Sequence, residues 1–268
     1  MLSNVRHQRY FTSGVTLSGL LGCWWVAAEG PHADEELAFV YFATTGFIAM
    51  AVVARSATLF SSERSRQTLD ILLATPMSNT QVLQDKFGGI DRMIAIVAVP
   101  LLVLFVCDGL IKEFLWSSSF HSRWYRDGFE FSFWLYFVSQ VVTVWIYLQM
   151  LAWLSVLIGL KVRKPTAAMV TSLAAIIGWA IIPLVLTVVF VEVSGLRPRD
   201  GAAMLLLSSP FPYLLLNQVG ELREMAASPP VLFVLNSLIY GSAMLGLRAL
   251  CFRNVGKLLQ REDSARAA

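Results

Sequence analysis

Six long apolar stretches with almost no charged residues limit how this chain can fold. They cover about residues 11–28, 37–57, 92–111, 131–160, 166–191 and 229–248. Because an α-helix rises about 1.5 Å per residue, about 20 residues cross the hydrocarbon core of a bilayer. Lipid offers no hydrogen-bond partners, so spanning segments must pair their own backbone groups, as helices do. The sequence therefore predicts an all-α integral membrane protein with six transmembrane helices in one transmembrane domain over residues 1–268.

The distribution of charge predicts how the helices are oriented. With six helices and both termini on one side, fifteen of the 21 Lys and Arg residues lie on that side. The opposite loops hold the other six, together with twelve of the 18 acidic residues. Since basic residues concentrate in cytoplasmic loops, we expect cytoplasmic N- and C-termini. The composition, 56% hydrophobic and 15% charged with mean hydropathy +0.63, is also that of a membrane protein.

One further charge-free stretch, Gly201–Gly220, could be read as a seventh span. It contains Pro210 and Pro212, and a crossing there would place the basic C-terminal tail outside, against the charge rule. We therefore predict a re-entrant or interfacial helical hairpin before span 6, bent at the Ser-Pro-Phe-Pro sequence of residues 209–212.

The polar interval between the second and third spans contains the segment Glu63–Pro76, with the sequence ERSRQTLDILLATP. Three of its residues share one face of a helix: Leu69, Leu72 and Leu73. Pro76 ends such a helix, because the residue before a proline is disfavoured in the helical region. The pattern predicts a short amphipathic helix, residues 63–75, at the cytoplasmic membrane surface.

Capping residues predict where the helices of this loop begin. Ser61 or Ser62 is suited to cap a helix start, with Glu63 in the first turn near the positive end of the helix dipole. The sequence Ser78–Gln81 matches an S-x-x-Q capping box, so a second helix should begin there and continue into the third span. Force on the leucine face would then reach that span through the corner at Pro76.

This loop resembles that of ABC transporter permeases of the type-2 exporter class, over residues 63–86. That pattern is E-x-x-x-G-T-L-x-x-L-L-x-T-P-x-S with a later lysine, and Gln67 stands here in place of its glycine. Nine residues occupy matching positions: Glu63, Thr68, Leu69, Leu72, Leu73, Thr75, Pro76, Ser78 and Lys86. The order of six spans and the Ser-Pro-Phe of residues 209–211 are also similar, so the likeness extends from about Leu37 to the C-terminus.

The resemblance implies a permease subunit of an ATP-driven exporter in a bacterial plasma (inner) membrane. It implies a second permease copy, in a homo- or heterodimer, and a separate ABC ATP-binding subunit that binds ATP and Mg. The residues implied in coupling to that subunit are Glu63, Thr68, Leu69, Leu72, Leu73 and Pro76. For Glu63, a solvated helix-capping charge is an equal alternative. The sequence lacks G-x-x-x-x-G-K-[ST], so we expect no cofactor bound by this chain and no enzymatic activity of its own.

Polar residues within the spans are candidates for a substrate path. Gln140 and Gln149 lie in the fourth span and Asn236 in the last, although such residues more often form hydrogen bonds between helices. Arg55 and Asp108 lie near span ends, from which their side chains are expected to reach water. With no ionisable group predicted at membrane depth, a proton- or sodium-driven carrier is disfavoured.

Two other functions are compatible with a helical membrane bundle. A non-transporting membrane scaffold or assembly factor could share a permease-like fold, because fold alone does not determine function. An intramembrane enzyme would need catalytic groups within the bilayer, but His7, His32 and His121 all lie outside the predicted spans. The sequence predicts no catalytic residues, no metal site and no nucleic-acid partner.

Overall fold

The computed structural model describes residues 33–65, 79–110, 133–162, 164–194, 204, 207, 213–214 and 229–266. Within them are five long α-helices: α1 Ala33–Ser65, α2 Asn79–Leu110, α3 Phe133–Lys161, α4 Pro165–Ser194 and α5 Pro229–Arg266. Each helix is long and apolar enough to cross a membrane. An all-α, membrane-embedded protein is therefore confirmed. The predicted first span, the coupling helix after Ser65 and most of the predicted hairpin lie outside the described residues.

Two helix boundaries bear on the predicted loop. α1 continues without a break to Ser65, so the helix start predicted at Ser61 or Ser62 is wrong. The Ser61 hydroxyl donates to the Ala57 carbonyl within the same helix, at 3.1 Å, and this bond lets a serine occupy a helix interior. α2 begins at Asn79, where the capping box predicts a helix start, and runs as one helix into the apolar span.

Contacts between the helices show that α2 runs opposite to its sequence neighbours α1 and α3. Tyr41, early in α1, packs against Phe105, late in α2, with ring centroids 5.4 Å apart. Phe87, early in α2, stacks on Trp153, late in α3, with centroids 3.6 Å apart. α5 runs parallel to α3, because Tyr147 contacts Asn236 and, farther along both helices, Trp153 contacts Cys251. α1, α3 and α5 therefore run one way and α2 the other. The end of α1, the start of α2 and the ends of α3 and α5 meet at one end of the bundle, which we name the loop end.

Helix α3 forms the centre of the bundle and packs against the other four described helices. Its closest approach to α1 occurs at Gly159, where an added Cβ would collide with the backbone carbonyl oxygen of Ala57. Ala57 is itself completely buried. Small residues at such a contact let two helix backbones approach closely, which is how helices associate in lipid. The buried core lies mainly between α1, α2 and α3.

The outer surface of the bundle is largely apolar. Helix α4 contacts α1 and α3, with Ala168 and Ser172 buried in its first turns. Farther along, Ile182 and Leu186 are exposed, at 57% and 62%. Exposing these apolar side chains to water would cost free energy, whereas the hydrocarbon of a bilayer solvates them well.

Three residues of the predicted hairpin lie against the bundle. Tyr213 and Leu214 are buried, and Leu214 belongs to the hydrophobic core. The Tyr240 hydroxyl of α5 donates a hydrogen bond of 3.4 Å to the carbonyl of Leu207. The chain before the last span therefore returns to contact α5.

Candidate functional site

The predicted coupling segment joins two helices that are neighbours in the bundle. Glu63 lies in the last turn of α1. The other predicted coupling residues lie outside the described residues: Thr68, Leu69, Leu72, Leu73 and Pro76. Because α1 and α2 are antiparallel and in contact, residues 66–78 connect them at the loop end. The assignment of these residues to ATPase coupling stays a prediction.

The three residues predicted for a substrate path all form hydrogen bonds between helices. Gln140 of α3, fully buried, accepts a hydrogen bond of 3.4 Å from the Tyr41 hydroxyl of α1. Asn236 of α5 accepts one of 3.3 Å from the Tyr147 hydroxyl of α3. The amide nitrogen of Gln149 donates to a carboxylate oxygen of Asp91 on α2, at 2.8 Å.

This geometry matches the structural alternative for Gln140 and Gln149, and Asn236 makes the same kind of contact. Each side chain joins α3 to a different neighbour, as polar residues in membrane bundles commonly do. None of these contacts excludes a second role in binding cargo, so the substrate-path assignment stays a prediction.

The side chain of Asp108 is buried, although its position near the end of a span suggests that it reaches water. We expect a residue near the end of a span to reach water, but Asp108 is only 2% exposed. The Tyr136 hydroxyl of α3 donates a hydrogen bond to its carboxylate. The start of α3 covers the end of α2 here, so the expected snorkelling of Asp108 is wrong, whereas Arg55 is exposed. A proton- or sodium-driven carrier was disfavoured because no ionisable group was predicted at membrane depth. The buried carboxylate of Asp108 removes that reason.

A cavity of about 270 Å³ lies between α2, α3 and α5 near the loop end. Its polar lining consists of Gln84 and Asp91 of α2, Gln149 of α3 and Arg248 of α5. The stacked rings of Phe87 and Trp153 form its apolar part. Among the described residues, no group of three His, Cys, Asp or Glu side chains is placed to hold a metal ion.

Asp91 and Arg248 are not among the site residues that the sequence predicts. Each lies close to the end of an apolar stretch and looks like an ordinary interfacial charge. The structure extends both spans, to Gln84–Leu110 and Pro230–Asn254, and so places the two charges several residues inside, where charges usually face protein rather than lipid. Which charges share a cavity depends on helix packing, and the packing is not readable from one sequence.

No protein-family model matches this chain, and no curated protein matches it.

Proposed function

We propose that this chain is the membrane-spanning permease subunit of an ATP-driven transporter of the type-2 exporter class. In this proposal, residues 63–75 form the coupling segment, of which residues 63–65 belong to the last turn of α1, and a separate ATP-binding subunit pushes on it. The resemblance over residues 63–86 motivates the proposal. The structural observation that carries it is that the last part of α1, at Ala57, and the first part of α2, at Phe87, both pack against the end of α3.

Tight contacts near both ends of the connecting segment support transmission of force. Ala57, eight residues before the end of α1, lies directly against Gly159 of α3. Phe87, eight residues after the start of α2, stacks on Trp153 of the same helix. A displacement of residues 66–78 would therefore act on α3 from two sides. Because packed interfaces resist gradual deformation, such a push favours a concerted movement of the helices.

The proposal includes a second permease copy, the lipid bilayer and the ATP and Mg held by the ATP-binding subunit. The exposed apolar surface of α4 and α5 supports an environment of lipid or of another membrane helix. In this arrangement the bacterial plasma membrane surrounds the bundle, and the loop end and both termini face the cytoplasm.

The coupling proposal is tested by an aspartate in the leucine face. Leu72→Asp should leave the amount of membrane-inserted protein unchanged and abolish co-purification of an ATP-binding subunit from the native membrane. Gln260→Asp is the matched control, because it adds the same charge on α5 beyond the span Pro230–Asn254. This control should retain both the subunit and its ATP hydrolysis.

Two results would count against the proposal. An undiminished complex with Leu72→Asp would remove the contact assigned to residues 63–75. A wild-type protein that never carries ATP hydrolysis would favour the scaffold alternative.

A further inference from the structure

The cavity between α2, α3 and α5 carries two opposite charges that do not neutralise each other. Asp91 stands on the α2 side and Arg248 on the α5 side. Within the part of the chain that the structure describes, no ion pair joins them, since Asp91 bonds to Gln149 and Arg248 packs on aromatic rings. Two separated charges of opposite sign are suited to a ligand that is itself zwitterionic.

Arg248 is held in place by contacts that leave its charge available. Its guanidinium carbon lies 5.9 Å from the ring centroid of Trp153 and 5.8 Å from that of Phe252. These are cation–π distances, and such contacts orient the planar group without supplying a counter-ion. The N–H groups at the edge of the guanidinium remain suited to two parallel hydrogen bonds with a phosphate.

Asp91 offers the complementary group. One carboxylate oxygen accepts the hydrogen bond from Gln149, which fixes the carboxylate against α3. Its other oxygen has no partner among the described residues, so it can accept from an ammonium group. Trp145, 43% exposed, also lines the cavity and adds an aromatic surface of the kind that attracts cations.

The cavity lies just below the layer of lipid headgroups. The apolar span of α2, Gln84–Leu110, has 27 residues and is about 40 Å long, the thickness of a bilayer with its headgroup layers. Asp91 lies seven residues inside that span and Arg248 six residues before the end of the span Pro230–Asn254, so each is about 10 Å from the end. Because the hydrocarbon core takes about 30 Å of that length, both charges lie about 5 Å on the hydrocarbon side of the headgroup boundary at the loop end.

We infer that this cavity binds the headgroup of a zwitterionic phospholipid from the leaflet at the loop end, with the phosphate on Arg248 and the ammonium group on Asp91. A volume of about 270 Å³ is slightly below that of pockets for drug-sized molecules and suits a headgroup. The acyl chains would lie along the exposed apolar surface of α5. This site goes beyond the proposed permease role and does not depend on it.

Lipid binding to the delipidated, detergent-solubilised full chain provides the test, with bound lipid counted by native mass spectrometry. Phosphatidylethanolamine should bind more tightly than diacylglycerol. Arg248→Gln should weaken its binding about tenfold or more, because hydrogen bonds to a charged group are lost. Arg248→Lys keeps the charge but not the paired donors, so its affinity for phosphatidylethanolamine should lie between those of the wild-type protein and Arg248→Gln. Asp91→Asn should abolish the preference for phosphatidylethanolamine over phosphatidylglycerol.

Two exposed residues outside the cavity provide matched controls. Arg253→Gln on α5 and Asp85→Asn on α2 remove the same charges from the same helices and should leave binding unchanged. Equal weakening by Arg248→Gln and Arg253→Gln, or equal binding of diacylglycerol, would overturn the site. Soluble glycerophosphoethanolamine separates the two sources of the headgroup. If it occupies the cavity as tightly as the lipid does, the membrane is not the source and the inference is wrong.

Discussion

Helices α3 and α4 are consecutive and almost equal in length, at 29 and 30 residues. Helix α3 nevertheless lies at the centre of the bundle and α4 at its edge. In the most apolar 18-residue stretch of α3, 56% of the residues are buried, whereas none are in that of α4. The buried helix is the less apolar of the two. In soluble proteins the most apolar surfaces are usually the most buried, so the relation between apolarity and burial is reversed here.

The polar residues of the two helices explain the reversal. Buried polar side chains of α3 reach its neighbours, as Gln140 reaches Tyr41 and Gln149 reaches Asp91. In α4, Thr171 and Thr187 bond to carbonyls of their own helix and need no partner elsewhere. Since hydrocarbon solvates apolar side chains as well as a protein core does, apolarity does not draw a helix inward. Polarity and close backbone packing determine which helix occupies the centre.

The largest expected effect comes from filling the glycine contact of α3. Gly159→Leu should destabilise the folded bundle by about 3 kcal/mol or more, because its side chain meets the backbone of Ala57 and forces α1 away. The measurement is the midpoint of unfolding in detergent.

Gly178→Leu in α4 is the control, since an added Cβ there makes only an ordinary 3.6 Å contact with Ile182 of the same helix. Equal loss of stability in the two variants would break the contrast between α3 and α4.

A cavity-forming substitution should give the next largest difference. Leu160→Ala on α3 removes a completely buried side chain and should cost about 2–3 kcal/mol. Leu186→Ala on α4, where the leucine is 62% exposed, should change the free energy of unfolding by less than about 0.5 kcal/mol.

Paired SDS unfolding curves for these two variants provide the measurement. If Leu186→Ala proved as costly as Leu160→Ala, the outer surface of α4 would have to be covered by protein rather than lipid.

The smallest expected effect concerns a single hydrogen bond. Tyr136→Phe removes the donor to the buried carboxylate of Asp108 and should cost about 1–2 kcal/mol. Thr187→Val, which removes a bond within α4, should be nearly neutral. Unfolding midpoints in the same detergent compare the two, and a neutral Tyr136→Phe would show that Asp108 does not depend on this bond.

The positions of the spans were predictable because their signal is local. A long charge-free stretch predicts a membrane helix whatever packs against it, and the structure places five such helices at five of the predicted positions. The start of α2 at Asn79 was also encoded locally, by the capping box.

Properties that depend on packing were not predictable. Asp108 has the sequence position of a water-facing residue, and only the start of α3 makes it buried. Ser61 has the composition of a cap, yet its bond to Ala57 accommodates it inside α1. Asp91 and Arg248 lie far apart in the sequence, so their shared cavity appears only once α2 and α5 pack on α3.

The proposed coupling requires the connection between α1 and α2 to face the compartment that holds ATP. Labelling of single cysteines with a membrane-impermeant maleimide in intact cells tests this directly, in a variant whose native cysteines are replaced by alanine: Cys23, Cys107 and Cys251. Asp34→Cys, at the start of α1, should react in intact cells, and Arg64→Cys, in its last turn, should react only after permeabilisation. Reaction of Arg64→Cys in intact cells would place the segment 63–75 outside and contradict an ATP-driven permease.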